Sequence, residues 1–570
     1  MNSRYQPSLI AWRFYLILVL VSLAVAGLAF RVFDLAVLNQ HFLMHQGNER
    51  ALRKISTPAF RGMIVDRNGY PLAVSTRVFS AWINPLEFTA SNDQLKSLGK
   101  LIDLKPKEML KLVARESKRK REFAYLKRSL SPETANLLKA MHIEGLYTQA
   151  EYRRYYPEGE VTAHVVGFTN VDDKGQEGLE LAYNGWLLGE AGKKLVVKDR
   201  LGRVISEIRE EQEQKPGHDL TLSLDRRIQY LAYRELLAGV TENKARSGSV
   251  IVLDAKTGEV LAMVNLPSYN PNNRMAKMTD VYRNRAVTDT FEPGSTIKPF
   301  SIASALETGR FTPNTIIDTT PGWIRLGKDI VRDEHQKGPM SITKILQISS
   351  NVGVTKMILG LPSNQLWNVL HRVGFGESTG VGFPGEQDGS LVKHDPWGQF
   401  TLASLAFGYG VSVTPLQLAR AYNVLANQGT ILPVSILRLD KQPEGTQVLK
   451  PKIAREMLTM LESVLQKGGT GEHATVPGYR VAGKTGTAVI AGSNGYQKHH
   501  YVSSFVGIAP VTNPRLVVVV AIHEPTGKQY YGGEVSGPVF SRVMEGALRI
   551  LDVPPDDLAT LTQPESPDAA

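Results

Sequence analysis

The sequence predicts a multidomain α+β protein held to a membrane, and three observations support this. An uncharged apolar run fills residues 14–30. A highly charged stretch at 208–218, with Pro216-Gly217 near its end, marks a boundary. Past that boundary, strand-like alternation passes into a capped amphipathic helix. The expected order is a tail at 1–13, a transmembrane anchor at 14–36, a mixed strand-and-helix pedestal at 50–218, a compact domain at 219–555 and a disordered tail at 556–570.

The apolar run has 17 residues, which at ~1.5 Å each span roughly 25 Å, short of a ~30 Å hydrocarbon core. Arg13 and Arg31 flank it and can snorkel to the interfaces, and Val32 and Phe33 extend it. A small-x-small site at Ala24-Val25-Ala26 offers a cleaved signal peptide as the competing reading. The run continues through that site, which favours an uncleaved anchor. Charge does not orient the span: Arg4 and Arg13 precede it, while Arg31, Arg50, Arg53 and Lys54 follow.

With 570 residues, 42% of them hydrophobic, the chain can bury more than one core. Its net charge of +11 is spread along the chain. The densest basic cluster, Lys118-Arg119-Lys120-Arg121, reads as a solvated helix end, and no zinc-finger or RNA-recognition motif accompanies it. A nucleic-acid partner is therefore not expected. Cysteine is absent, through export to an oxidising compartment or through lineage drift.

In the compact domain, Leu220, Leu222 and Leu224 alternate as in a half-buried strand. Asp225 caps a predicted helix whose Ile228, Leu231, Ala232 and Leu236 share one face. Residues 250–253 and 260–264 flank the turn Ala255-Lys256-Thr257-Gly258, a hairpin signal.

Three motifs then carry chemistry: Ser295-Thr296-Ile297-Lys298, Ser349-Ser350-Asn351 and Lys484-Thr485-Gly486-Thr487. Each pattern recurs elsewhere. Ser-x-x-Lys starts also at Ser97, Ser117, Ser341 and Ser390, Lys-Thr-Gly at Lys256, and Ser-x-Asn at Ser268. Context separates the copies. Ser295 opens an apolar helical stretch, which puts Lys298 one turn on and facing the same way. A serine hydroxyl needs a base within reach, and a lysine serves only if its pKa is depressed. Burial, the positive helix end and a second lysine all act in that direction. The decoys lack this setting, since Lys256-Thr257-Gly258 is turn chemistry and Ser341 looks like a helix cap for 342–348. Ser349 is placed to relay a proton, Asn351 to donate to a substrate carbonyl, and Ser350 to serve structure. On a strand, Thr485 and Thr487 point to one side and Gly486 leaves room for a ligand backbone. A peptide could join that strand as a new edge, with the N–H groups of Thr487 and Ser295 forming an oxyanion hole. Lys484 would place positive charge near a substrate carboxylate.

With this trio, the chain resembles the penicillin-binding proteins and serine β-lactamases, and in particular the class B penicillin-binding proteins of the FtsI group. Further matches are residues 61–69, RGMIVDRNG, residues 153–157, RRYYP, residues 175–180, GQEGLE, and residues 268–273, SYNPNN. Others are Phe407-Gly408-Tyr409-Gly410 and Tyr530-Tyr531-Gly532-Gly533. The cluster Arg332-Asp333-Glu334-His335 matches nothing in the family and reads, like His499-His500, as a solvated loop rather than a metal site.

The resemblance implies a β-lactamase-like C-terminal domain, an antiparallel sheet covered by helices plus an all-helical subdomain, above a pedestal that serves dimerisation or interaction. It implies a peptidoglycan D,D-transpeptidase at the division septum, anchored by a single span in the bacterial inner membrane with its catalytic domain in the periplasm. Ser295 would attack the penultimate D-Ala carbonyl of a stem peptide, and an amine would resolve the acyl-enzyme; β-lactams would acylate the same serine. Ser295, Lys298, Ser349, Asn351 and Lys484 would be catalytic, and Thr485, Gly486, Thr487 and Tyr409 would bind substrate. Neither cofactor nor metal is expected, and no nucleotide-binding fingerprint is present. A SEDS-family, FtsW-like glycosyltransferase and other division proteins are the implied partners. The alternatives are an elongation-specific class B transpeptidase, a D,D-carboxypeptidase, a β-lactamase and a non-catalytic scaffold. The long anchored module disfavours a β-lactamase, and the complete serine–lysine set disfavours a scaffold.

Overall fold

The computed structural model describes residues 11–57, 59–198, 204–273, 279–334, 336–394, 396–492 and 495–558. The expected disordered tail lies, from residue 559 on, outside the described residues, as do His335, Asn494 and the first ten residues of the chain. The chain forms two compact units. One comprises Met1–Phe60, Arg77–Tyr152 and Gly189–Pro216, and the other Arg61–Thr76, Arg153–Leu188 and Gly217–Ala570.

In the first unit the apolar run is a helix, Ala11–Phe33, continued by a wider turn over Asp34–Leu38. Together they make 28 residues, long and apolar enough to cross a membrane. Arg31 meets Asp34 at 2.7 Å, one turn on, so the two charges at this end offset one another. Strand Leu52–Thr57 pairs with Gly192–Lys198, which pairs with Val204–Gln212. A separate core gathers Ala81, Ile83, Leu95, Leu98, Ile102 and Leu138 from strands and helices. Helix Asn92–Ile102 starts at a Ser91–Gln94 capping box and buries Leu95, Leu98 and Ile102 along one face, so Ser97 and Lys100 are ordinary helix positions.

The second unit is built on a five-stranded antiparallel sheet. Its order is Val260–Leu266, Ser247–Asp254, Leu516–His523, Gly495–Ala509 and Ala482–Gly492. Strands Ser247–Asp254 and Val260–Leu266 are buried throughout; residues 250–253 and 260–264 are accordingly apolar, and the buried Ser249 Oγ donates to Asn265 Oδ1 at 2.8 Å. The turn between them holds Gly258 at φ +72, where a Cβ would collide with the carbonyl of Pro433. The first Lys-Thr-Gly is therefore a structural turn. Asp225 caps helix Arg226–Glu242 as expected, and Ile228, Ala232 and Leu236 are buried. That helix and Gly537–Ile550 pack together on the sheet: a Cβ at Gly239 would stand 2.5 Å from Val539. The helical subdomain contains Lys298–Glu307, Ile342–Gln347, Asn351–Leu359, Gln365–Arg372 and Gln399–Ala406. It also holds two short antiparallel pairs, Ile316–Asp318 with Pro339–Ser341 and Trp323–Leu326 with Asp329–Arg332.

Segments that precede the Pro216-Gly217 boundary belong to this second unit. Arg61 Nε donates to one carboxylate oxygen of Glu180 at 2.5 Å, and Arg154 Nε to the other at 2.6 Å, all three side chains being buried. The motifs around residues 61, 154 and 180 thus meet in one ion triad. Tyr269 Oη donates to Ala163 O and Asn272 Nδ2 to Tyr156 O, so the second Ser-x-Asn lies in a structural tie. His499 and His500, expected in a solvated loop, instead lie in strand Gly495–Ala509, and the His500 ring faces the Glu524 carboxylate at 3.2 Å.

Candidate active site

Ser295 stands in a single 3-10 turn, Gly294–Ile297, that feeds helix Lys298–Glu307. Gly294 makes the entry possible with φ +52. Gly408 packs on it so closely that a Cβ there would strike the Gly294 carbonyl. Tyr422 Oη donates to Thr296 O at 2.8 Å and fixes the turn from behind. Gly294 N donates to Gly408 O at 3.1 Å and Thr296 N to Pro293 O at 3.2 Å, which fixes the peptide groups on either side of Ser295.

Lys298, one turn further, is fully buried. Its Nζ donates to Ser349 O at 2.5 Å, Ser349 Oγ at 3.0 Å and Asn351 Oδ1 at 2.7 Å. Burial pushes its pKa down to about 7, against an upward pull from the Asp333 carboxylate. A lysine in this state can accept a hydroxyl proton near neutrality.

The second motif is delivered by helix Ile342–Gln347, which Ser341 caps by accepting from Lys344 N. The chain then reverses at Ser349, whose φ of +62 is a strained value for a residue with a side chain. Ser350 opens helix Asn351–Leu359, accepting from Gly353 N at 2.9 Å and donating to Asp333 Oδ2 at 2.6 Å. Asp333 Oδ1 accepts from Asn351 N at 2.5 Å and Val352 N at 2.9 Å, and Asn351 Nδ2 donates to Arg332 O at 3.1 Å. This corrects the reading of a solvated loop at Asp333, while Arg332 and Glu334 beside it are exposed. A carboxylate placed on the positive end of a helix is stabilised there, and here it pins the second motif.

The third motif lies on Ala482–Gly492, an edge strand of the sheet. Val489 N donates off the sheet, to Tyr409 Oη at 3.4 Å. With a period of two, the Thr487 N–H points the same way, towards the open edge. Thr485 and Thr487 both line the cavity that contains Ser295. Gly486 does something other than leave room for a ligand. A Cβ there would collide with Ser504 Oγ and lie 2.8 Å from Thr296 Cγ2, so its bareness lets the serine turn seat against the strand. Lys484 is fully buried and donates to Thr485 O at 3.1 Å and Thr485 Oγ1 at 3.2 Å. Burial, then the charge of Lys298, hold it far below the ordinary lysine range. Its influence on the cavity passes through the Thr485 hydroxyl.

Two hollows meet at Asn351. The larger, about 500 Å³, holds Ser295, Ser349, Thr485 and Thr487 and extends to Gly468–Thr470, Glu334 and Tyr531. The smaller, about 450 Å³, is aromatic, with Trp397, Phe400, Phe407, Tyr409 and Tyr496. Tyr409 is thus set apart from Ser295, on the neighbouring hollow. Asp333, Glu334 and Thr470 escaped sequence reading, and Thr470 Oγ1 lies 2.7 Å from Thr485 Oγ1. Their partners are remote in sequence, and only Tyr530-Tyr531-Gly532-Gly533 carried a family signal.

A half-buried serine that lines the hollow from a glycine-hinged turn, a buried lysine bridging to a second serine, and an open strand edge on an antiparallel sheet define the class: a serine acyl-transferase of the penicillin-binding kind. The comparisons agree. Residues 248–545 match the penicillin binding protein transpeptidase domain, and residues 56–222 the penicillin-binding protein dimerisation domain. FtsI of Escherichia coli K12, a peptidoglycan D,D-transpeptidase, is 42% identical over 97% of this chain and 94% of its own length. PbpC of Pseudomonas aeruginosa, a probable peptidoglycan D,D-transpeptidase, is 42% identical over 96% of each chain. The crystal structure of penicillin binding protein 3 from Mycobacterium tuberculosis with aztreonam is similar at TM-score 0.69 and 28% identity, covering 88% of this chain and 98% of that one. The chain belongs to the class B penicillin-binding proteins of the FtsI type.

Proposed function

We infer that this protein is a serine D,D-transpeptidase that cross-links peptidoglycan stem peptides at the division septum and is acylated by β-lactams. The observation that carries the reading is the Lys298 ammonium position, buried beneath Ser349 and Asn351 one turn after Ser295. In the reaction, neutral Lys298 takes the Ser295 proton as Oγ attacks the penultimate D-Ala carbonyl. The N–H groups of Ser295 and Thr487 receive the developing oxyanion. Ser349 passes the proton to the departing D-Ala nitrogen, Asn351 steadies the donor amide, and Lys484 orders Thr485 at the carboxylate end. The donor lies along the open edge of the strand, its carboxylate end by Thr485 and its upstream residues towards Val489 and Tyr409. The energy of one amide is retained in the ester, so no nucleotide is consumed.

A single apolar span fits a single-pass membrane anchor. The periplasm, where peptidoglycan is assembled, is the compartment this chemistry requires of the catalytic unit. The unit that contains Arg77–Tyr152 and Gly189–Pro216 docks other division proteins, an FtsW-like glycosyltransferase among them, and the unit of Arg61–Thr76, Arg153–Leu188 and Gly217–Ala570 carries the reaction. Membranes labelled with a fluorescent penicillin test the nucleophile. Wild type takes the label, Ser295→Ala does not, and a labelled variant would refute the assignment. Product analysis with and without an acceptor amine separates a transpeptidase from a carboxypeptidase, which would release tetrapeptide regardless. Depletion yields filaments if the role is septal, whereas rounded cells would indicate elongation.

A further inference from the structure

Resting on the transpeptidase reading, we propose that Glu334, at the rim of the larger hollow, binds the ammonium group of the incoming acceptor peptide. Deacylation restricts where an acceptor can enter. The donor remains tethered to Ser295, so its upstream residues still fill one side of the ester. The acceptor amine must come through the side that the leaving D-Ala has vacated.

The two hollows say which side that is. Val489 N and Tyr409 Oη meet on the strand at the aromatic hollow, and Thr485 faces the other one. A donor acylated beside Thr487 therefore runs upstream into the aromatic hollow. The vacated side is the larger one, about 500 Å³, which continues past Thr485 to Thr470 and Gly533 and is lined further out by the exposed Glu334 and Tyr531.

Glu334 is presented there by design of the chain around it. Its neighbours are fixed to the second motif, Arg332 O by Asn351 Nδ2 and Asp333 by Ser350 Oγ and two backbone N–H groups. On the opposite wall, Gly532 N donates to Thr487 Oγ1 at 3.0 Å, which anchors Tyr531 beside the strand. Tyr531 Oη donates to Glu334 Oε1 at 2.5 Å, and Tyr530 Oη donates to Tyr531 Oη at 3.1 Å. A neutral hydroxyl thus satisfies one oxygen of the carboxylate. An ammonium makes a charge-assisted bond to the same oxygen and displaces it.

The chemistry balances without any further reagent. The docked ammonium releases one proton to water and becomes a free amine. Its nitrogen attacks the ester carbonyl, the C–N bond forms, and the tetrahedral nitrogen passes its excess proton to neutral Lys298. The C–O bond to Ser295 then breaks, and Lys298 returns that proton to Oγ.

The test uses the full chain in detergent with a stem-peptide thioester as donor. From one acyl-enzyme, the ratio of aminolysis to hydrolysis is measured with Nα-acetyl-lysinamide, a cation, and with hydroxylamine, which is mostly neutral near neutral pH. Glu334→Gln should lower the ratio for the cationic amine about tenfold, the loss of one charge-assisted contact, and leave that for hydroxylamine in place. Tyr531→Phe, which frees Glu334 without removing it, should raise the ratio for the cationic amine at sub-saturating concentration. An unchanged ratio in Glu334→Gln, an equal fall for both nucleophiles, or no rise in Tyr531→Phe would overturn the assignment. If wild type forms no acyl-enzyme, the transpeptidase reading itself fails, and the ratios, read only from acyl-enzyme already formed, keep the two failures apart.

Discussion

Burial takes Lys298 to about 7, so near neutrality a large share of this side chain is uncharged and ready to accept a proton. Acylation by a penicillin should therefore rise with pH along a limb centred at about 7, as stopped-flow fluorescence would show. Asp333 pulls that value upward, so Asp333→Asn should move the limb to lower pH while loosening the second motif. Lys298→Arg, which keeps the charge but cannot lose it, should slow acylation by roughly 10²–10⁴-fold. The same shift links pH to stability. Between about 7 and 10.5 the unfolded chain holds a proton at this position that the folded protein lacks, so this group's contribution to stability increases as pH rises through that window. Lys298→Met should accordingly gain most over wild type at the acid end, by urea denaturation.

At the scale of elements, the serine turn, the second motif and the edge strand stay aligned through close backbone approaches rather than through long side chains. Gly486→Ala would push the strand away from Thr296 and Ser504, and overpacking of this kind costs about 1–3 kcal/mol. Tm should fall and acylation should slow together. Ser350→Ala removes a helix cap and one Asp333 partner, about 1–2 kcal/mol by denaturation, and should slow acylation without touching substrate. The elements themselves were legible. Leu220, Leu222 and Leu224 suggested a half-buried strand, of which only Leu220–Thr221 is one although all three leucines are buried; Asp225 announced a helix start, and Ser341 the helix that delivers Ser349. Asp333 was not legible, because a carboxylate in a polar tetrapeptide looks solvated until Ser350, 17 residues away, is brought to it. Gly486 was misread for a related reason. Its chain neighbours leave it open, and only the packing of another element fills the space.

For the molecule as a whole, the compact catalytic unit includes chain from before the Pro216-Gly217 boundary: Arg61–Thr76 and Arg153–Leu188 fold with Gly217–Ala570. The buried Arg61–Glu180–Arg154 triad ties two of these segments. Glu180→Gln would leave two buried guanidinium groups without their counter-ion, and breaking a buried pair costs about 3–5 kcal/mol. Urea denaturation of the full chain should show that loss, and penicillin labelling at elevated temperature should fall with it.

The sequence by itself determined the long apolar helix, the family and the three short motifs whose residues line one hollow. Each rests on a local signal: an apolar run, a cap, or a short motif whose spacing matches one helical turn or one strand period. Tertiary structure alone decided which remote groups serve those residues. Asp333 on the helix bearing Asn351, Thr470 against Thr485, Tyr531 across the cleft from Glu334, and the two hollows meeting at Asn351 all depend on contacts between elements far apart in the chain. Charge, burial and the fit of one backbone against another act through space, so no local pattern records them.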